Sequence, residues 1–590
     1  MPTFAPVTVI VPLPLKVMAP LLALTSFLGD ARVDAKKTPA VDPRADYDVE
    51  AYRLDLRVDP ATKTLSGTVV VEARAVVDAL DAVVLDLAPG FTVERVDRLV
   101  PAPGDDALDG TDPIAASSAA ATSAFRYEPP RLVCPLAAPA RRGELVRLAV
   151  RYSGQPKSKG DFDGFHWAKS KDGRAWISTS SQGTGSSYWW PSKDSYFHPE
   201  DKPARVYENY TVPADLYAVG NGRLDARTVG DDGTATFRWV HEYPLETYSV
   251  TLNAAAYTVV ETKLEVPGNP EPVPFAYYVL PENAEKAALQ FRDVPGMLAA
   301  YSRAFGPFPF PKSKFALVET SFWGMEHSTA VAYGSSYPAW IREHGGKDPY
   351  ASRNRLFDYI LVHESAHEWW GNAVSARAWG DFWIHEGFAT YAEAVYLEAT
   401  KDAATAQQHM DSWKSSVGAR SRLFRGEDVD SGKAYAQTIY SKGAWVLHTL
   451  RQYVDDDEAF WRSVRAFQAE FRYGNATTQD FRAVLERETK REWKTFFDEW
   501  VYGTGYPKLE GKVRALPNAI SISITNTGSH QQGFHVPIDL TWTEGGRATR
   551  RRVELSPGAN DVTLECGARP EGLALRGFER ILADRKVTVE

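Results

Sequence analysis

Ile360-Leu361-Val362-His363-Glu364-Ser365-Ala366-His367-Glu368-Trp369-Trp370 places two histidines four residues apart among apolar residues that suit a buried helix. Residues at that spacing share one helix face, so both imidazoles can reach one ion while Glu364 points beside it. Zinc hydrolysis needs this geometry: zinc takes His nitrogen at about 2.0–2.1 Å, and a catalytic site keeps one of four positions open for water. A third protein ligand is therefore required. Trp383-Ile384-His385-Glu386-Gly387-Phe388-Ala389-Thr390-Tyr391-Ala392-Glu393 offers Glu386, 19 positions after His367 and at the start of a second helical pattern. A helix, a short turn and a returning helix bring it to the metal. Glu364 is the expected general base, because a carboxylate beside a zinc-activated water can accept its proton. Glu393 lies almost two turns beyond Glu386 on nearly the same face. It is either a partner of a metal ligand or a solvated helix carboxylate.

Outward from this stretch the texture is helical over 283–305, 355–371, 384–400, 434–453 and 479–501. Upstream, from about 46 to 268, the apolar period is two, as in Tyr52, Leu54, Leu56 and Val58, and in Val146, Leu148, Val150 and Tyr152. Within it, 101–124 is rich in Ala, Ser, Asp, Gly and Pro without periodicity and reads as a loop insertion. Downstream of Gly503, Gly505 and Pro507 the period of two returns in Ile520, Ile522 and Ile524, then in Val536, Ile538, Leu540 and Trp542. The expected organisation is a multidomain α+β chain: a leader or disordered extension at 1–35, a β domain at 44–268, a mostly helical domain at 269–506 and a small β-sandwich at 507–590.

With 590 residues, about four times the rough 150-residue size of one domain, several domains are expected. The 67 Lys and Arg against 76 Asp and Glu give a net charge of -9, so the chain lacks the electrostatic footprint of a nucleic-acid binder. Cys134 and Cys566 are the two cysteines, which excludes a disulfide framework or a Cys-based metal site; they read as free thiols or one long-range pair. The apolar stretch 7–28 carries Pro12, Pro14, Lys16 and Pro20 and makes a poor membrane span. Lys16 followed by 17–28 and small residues near Val33 and Ala35 reads as a secretory signal, so an exported chain is expected, and a cytoplasmic one if 1–35 is only an extension.

His363, Glu364, His367 and Glu386 together resemble the HExxH-x18-E pattern of the aminopeptidase N-like zinc metallopeptidases, the gluzincin exopeptidases. Trp369-Trp370-Gly371-Asn372 resembles that family's W-F-G-N continuation, and Trp383 to Glu393 its W-x-N-E-G-F-A-x-Y-x-E segment, with His385 where Asn is usual. Gly324-Met325-Glu326-His327 resembles the G-x-M-E-N exopeptidase motif, so Gly324 and Met325 are expected to line the substrate site and Glu326 to bind the substrate's free amino group. Tyr440-Ser441-Lys442-Gly443 resembles Y-x-K-G, whose tyrosine helps stabilise the tetrahedral intermediate; Tyr435 lies where some members carry a second tyrosine. Gln182, twelve residues before Asp194, is similar to the family's amine-binding glutamine.

The resemblance runs from about Asp46 to Tyr506. It implies an N-terminal β saddle, a thermolysin-like catalytic domain and a C-terminal β-sandwich, one zinc per chain, and peptides with a free N-terminus as substrates. The departures are Trp323 at the usual first Gly and His327 at the usual Asn of the exopeptidase motif. They imply an altered side-chain pocket. His327 reads as a structural hydrogen-bonding residue or as an extra metal ligand. The rival readings are an endopeptidase or non-peptide hydrolase on the same fold, and a catalytically silent binding protein.

Overall fold

The structure, a computed structural model, describes residues 42–590 apart from 101–117, 161, 183–184, 195–198, 346–355, 419, 421, 427–428 and 529–532. The expected leader at 1–35 lies outside the described residues. No helix among the described residues is long and apolar enough to cross a membrane.

The alternating segments near the start form an eight-stranded sheet. Tyr47–Asp59 pairs antiparallel with Thr64–Ala75 and parallel with Arg205–Pro213. The sheet continues through Thr234–His241 to Arg223–Val229 on one side, and through Leu145–Gly154 and Phe91–Val100 to Ser118–Ser123 on the other. That last strand corrects the reading of 101–124 as loop throughout. Ser118–Ser123 is Ala- and Ser-rich and has no large apolar residue to reveal a strand period, yet it pairs with Phe91–Val100. Residues 101–117 lie outside the described residues. Under the large sheet sits a five-stranded one that includes Asp163–Lys169 and Ala175–Ser181. The two share a core containing Tyr52, Leu54, Val69, Val71, Trp189, Trp190 and Phe237.

The middle of the chain is helical around a third sheet of five short strands: Thr258–Leu264, Val273–Val279, Phe315–Thr320, Val331–Gly334 and, at its edge, Gly324–Met325. The first of these lies on the N-terminal side of residue 268. Phe315–Thr320 and Val331–Gly334 are buried at every position, so they show no alternation and were invisible to a period-of-two reading. Two expected helices are each two. The 283–305 stretch is Ala284–Gln290 and Val294–Phe305 with a 3₁₀ turn between. Pro295 has no N–H to donate and belongs in a first turn, so it starts a new helix. The 479–501 stretch is Thr478–Thr489 and Lys494–Trp500, the first ending at Lys490 in the left-handed region with φ 56°.

The C-terminal region packs a four-stranded sheet, led by Pro507–Leu516 and Ala519–Gly528, on a three-stranded sheet centred on Val536–Glu544. Ile520, Ile522, Ile524, Val536, Ile538 and Leu540 fill the space between them. Cys134 and Cys566 are both free thiols, the first buried and the second half-buried.

Polar contacts at Ser328 join the β-rich and helical regions. Asn221 Nδ2 donates to Ser249 O at 2.9 Å and to Ser328 O at 2.6 Å. Thr329 N donates to the buried Glu368 at 2.7 Å. His241 Nδ1 donates to Tyr243 O at 2.9 Å, leaving Nε2 to accept from Ser328 Oγ at 3.3 Å. Burial pushes His241 down to about 3, the Tyr243 carbonyl opposes that, and the Lys314 and Lys202 cations add to it. The folded chain thus binds fewer protons here than the unfolded one, whose histidine titrates near 6.5. Stability from this group is complete above pH 6.5 and is lost as pH falls from there toward 3. In His241→Gln, the slope of unfolding free energy against pH across that window should be shallower by up to one proton, as read from urea titrations at a series of pH values.

Candidate metal and substrate site

The helix Tyr359–Ala366 carries His363 and Glu364, and His367 caps its C-terminal end. Asp358 caps its start, accepting from Leu361 N at 3.3 Å and from Tyr333 Oη at 2.5 Å. The chain then turns at Gly371, whose φ is 128°; a Cβ there would lie 3.2 Å from His385 Nδ1 and 3.4 Å from His367 Nδ1. Only glycine lets the turn pass between these two rings. The helix Trp383–Thr400 returns and brings Glu386 to the pair. One ligand atom from each of His363, His367 and Glu386 lies within 4.8 Å of the others, and all three residues are buried. Glu386 Oε2 is 3.4 Å from His363 Nε2 and 3.5 Å from His367 Nε2.

The ring orientations suit a metal. His367 Nδ1 lies 2.8 Å from Trp370 O, a group that can only accept, so Nδ1 carries a hydrogen and Nε2 is the atom left to face Glu386. His363 Nδ1 lies 2.9 Å from Glu393 Oε1, with the same consequence. Both rings therefore turn Nε2 toward Glu386, and with Nε2 deprotonated two imidazoles and one carboxylate are the donor set of a His₂Glu zinc site. Burial opposes charge on Glu386, but its contacts to His363 and His367 outweigh that and hold its carboxyl well below the usual range.

Gly387 and Gly443 explain how Tyr440 reaches the cluster. The helices Trp383–Thr400 and Gln437–Val454 cross where these glycines touch: a Cβ on Gly443 would lie 2.7 Å from Gly387 Cα. The close crossing lets Tyr440 Oη donate to Glu386 Oε1 at 2.9 Å. Tyr359, one turn before His363, stacks on that ring at 5.1 Å, and Tyr440 stacks on it at 6.2 Å. Tyr435 is tied to Gln182 and packs on Phe382 at 5.0 Å and Trp379 at 6.0 Å.

The edge strand Gly324–Met325 runs beside the His363 helix. A Cβ on Gly324 would meet Ile360 Cγ2 at 2.8 Å and Glu364 Cγ at 3.3 Å, so the strand backbone presses directly on the stem of Glu364. Glu326 follows, 3% exposed, with Oε1 lacking a partner among the described residues. Its backbone carbonyl accepts from Asn372 Nδ2 at 2.8 Å, and Asn372 Oδ1 accepts from Ser249 Oγ at 2.7 Å. Lys202 Nζ donates to Asn372 O at 2.7 Å and Ser375 Oγ at 2.8 Å. Burial raises Glu326, and the His367 imidazole counters it. Burial likewise lifts Glu364 to about 7, against the pull of His363.

One cleft joins Phe162, Gln182, Trp323, Gly324, Met325, Glu326, Glu364 and Tyr440 with the three clustered residues, and among the described residues no Lys or Arg lines it. Of the candidate residues read from the sequence, Tyr435, Glu393 and His327 do not line it. Glu393 is fully buried and bonded to His363, which excludes a solvated role. His327 is fully buried, is not in the ligand cluster and has no hydrogen-bond partner on either nitrogen among the described residues, so neither expected role is met. His385 Nε2 instead accepts from Ala376 N at 2.8 Å. Sequence reasoning assigned no role to Tyr359 or Asn372. The i−4 spacing of Tyr359 from His363 was a readable signal, whereas the Asn372 contacts come from remote segments.

Residues 291–500 match the model described as the Peptidase family M1 domain. This stretch is an M1 peptidase domain. The chain is similar to Aminopeptidase M1 of Arabidopsis thaliana, 24% identical over 366 residues that cover 60% of this chain and 40% of that protein. It is also similar to the Probable aminopeptidase 2 of Sulfurisphaera tokodaii, 24% identical over 65% of this chain and 49% of that protein. The matches thus span less than half the length of these curated relatives. Among solved structures, the M1 zinc metallopeptidase of Deinococcus radiodurans superposes with a TM-score of 0.60 at 23% identity, over 77% of this chain and 93% of that one. The β-rich, helical and C-terminal sheet regions thus follow the M1 metallopeptidase fold.

Within the M1 domain the glycine crossing gives a direct check. Gly443→Ala should force the two helices apart, lower stability by about 1–3 kcal/mol, and weaken the Tyr440–Glu386 contact. Urea unfolding measures the first effect and a crystal structure of the variant the second.

Proposed function

We propose that this chain is a zinc-dependent aminopeptidase that releases the N-terminal residue of peptides. The observation that carries the reading is the buried Glu326 carboxylate, on a cleft that also holds the His363, His367 and Glu386 cluster; among the described residues one of its oxygens has no partner and the cleft has no Lys or Arg. A buried carboxylate without a cation is costly, and a substrate ammonium relieves it. Glu326 takes that ammonium, with Gln182 as a further polar contact. The pairing sets the register: the peptide bond after the first residue is the one that reaches the metal ligands. Blocking the amine removes the charge that Glu326 needs.

His363, His367 and Glu386 would hold one zinc per chain. Bound zinc supplies Lewis-acid polarisation of a carbonyl and lowers the pKa of water toward 7. Glu364 accepts the proton of the attacking water and returns it to the departing amine. Its stem is held against Gly324, so the base and the amine-binding strand keep a fixed separation. Tyr440 turns its hydroxyl from Glu386 Oε1 to the carbonyl oxygen as negative charge grows there, a role in which a single donor is worth about 2.7–4 kcal/mol. The supporting relatives are aminopeptidases by description, and a variant of the Deinococcus radiodurans protein is described bound to a Tyr-Ser-Ala substrate.

Glu364→Gln should retain zinc and lose about 10² to 10⁴ in turnover. Retained turnover in the zinc-loaded variant would remove the base from Glu364. Tyr440→Phe should lower kcat far more than it raises KM. A free-amine peptide should be cleaved much faster than its N-acetylated form, and equal rates would favour an endopeptidase and strip Glu326 of its role. Metal analysis with chelator and zinc add-back on an amino acid arylamide panel tests the cofactor in the same experiment.

A further inference from the structure

The polar contacts do not stop at the metal ligands. Glu393 is fully buried, with His363 Nδ1 at 2.9 Å, His409 Nε2 at 2.7 Å and Trp413 Nε1 at 3.3 Å, the Trp413 N–H being shared with His409 Nε2 at 3.2 Å; a carboxylate only accepts, so His409 Nε2 carries the hydrogen of the 2.7 Å contact. The first binds Oε1 and the other two bind Oε2. The donors come from different helices, His363 from Tyr359–Ala366 and the other two from Ala403–Lys414, where four-residue spacing puts His409 and Trp413 on one face. His409 is itself buried, with Phe357 edge-on at 5.2 Å.

We propose that His409 is a positioning residue for the metal centre. By donating to Glu393 Oε2 it keeps Oε1 on His363 Nδ1, and so keeps His363 Nε2 turned toward Glu386. The inference rests on the reading of His363, His367 and Glu386 as metal ligands, and it adds a residue that belongs to none of the sequence motifs. The two histidine ligands differ in how they are held. His367 is oriented by Trp370 O, three residues away on its own turn. His363 has no such local acceptor. Its orientation is set by a carboxylate on a second helix, and that carboxylate by donors on a third. Without His409, Oε2 keeps only the 3.3 Å Trp413 contact. The carboxylate can then turn about its last torsion and leave Nδ1. Outer partners of metal-bound histidine typically account for 10- to 100-fold in metal affinity.

The test measures zinc affinity of the full chain by competition with a chromophoric chelator at one mildly alkaline pH, alongside the thermal midpoint of the metal-free form. His409→Phe removes the donor and should weaken zinc binding about 10- to 100-fold. His409→Gln places an amide N–H near the position of Nε2 and should restore affinity to within about threefold of the parent. His409→Phe combined with Glu393→Gln should bind no more weakly than Glu393→Gln alone, because both act through one contact. Parent-like affinity in His409→Phe, or full additivity with Glu393→Gln, would overturn the proposal while leaving the ligand assignment in place. If His409→Phe does not fold, His409→Asn replaces it: its amide is one carbon short of Glu393, and equal affinity for the Asn and Gln variants overturns the proposal. A parent chain that binds no zinc would remove the ligand assignment, and this inference with it.

Discussion

Two imidazoles and the Glu386 carboxylate have to share a buried space a few ångströms across, each presenting a chosen atom to the others. Most of the surrounding architecture answers that demand. A ring left to itself can present either nitrogen, so each is held from behind: His367 by Trp370 O, His363 by Glu393. Glu386 is held from its other oxygen by Tyr440. Those contacts need helices closer together than side chains normally allow, and glycines supply the room. Gly387 meets Gly443 at the helix crossing, Gly371 passes between His367 and His385, and Gly324 lies flat on Ile360 and Glu364. The glycines of the motifs are therefore packing requirements of the polar cluster as much as turn residues.

The β-rich region takes part in building the site. Ser249, from that region, fixes Asn372; Asn372 fixes the carbonyl of Glu326; and Lys202 fastens the same loop from below. A buried polar group left unpaired costs about 1–3 kcal/mol, so this chain of bonds strongly favours one placement of the Glu326 backbone. Gln182 comes from the same region and lies on the cleft with Glu326. The Gln182 and Glu326 side of the cleft is thus assembled across two regions, whereas the clustered His363, His367 and Glu386 come from a single run of 24 residues.

Legibility in the sequence followed periodicity. The long alternating strands and the sandwich at the end carry one apolar face each, and they were readable. Phe315–Thr320 and Val331–Gly334 are buried on all sides and carry no such pattern. Ser118–Ser123 joins its sheet through backbone pairing with too few large side chains to announce itself. The helix breaks at Pro295 and Lys490 were marked only by local backbone preference, which a broad helical pattern masks. His327 is the sharpest departure: a buried imidazole without hydrogen-bond partners among the described residues satisfies neither reading its neighbours in the motif suggested.

From the sequence alone the clustering of His363, His367 and Glu386 was determined, because the two histidines are joined by helical spacing and Glu386 by a short return, all local geometry. The same holds for the three-region layout. What only the tertiary structure decided is which oxygen or nitrogen of each group is free. That depends on Glu393 facing His363 and not solvent, on His409 standing behind it, and on Ser249 reaching Asn372 across more than a hundred residues of chain. Such contacts join segments whose separation in sequence carries no period, so no local pattern encodes them, and only the packed core brings them together.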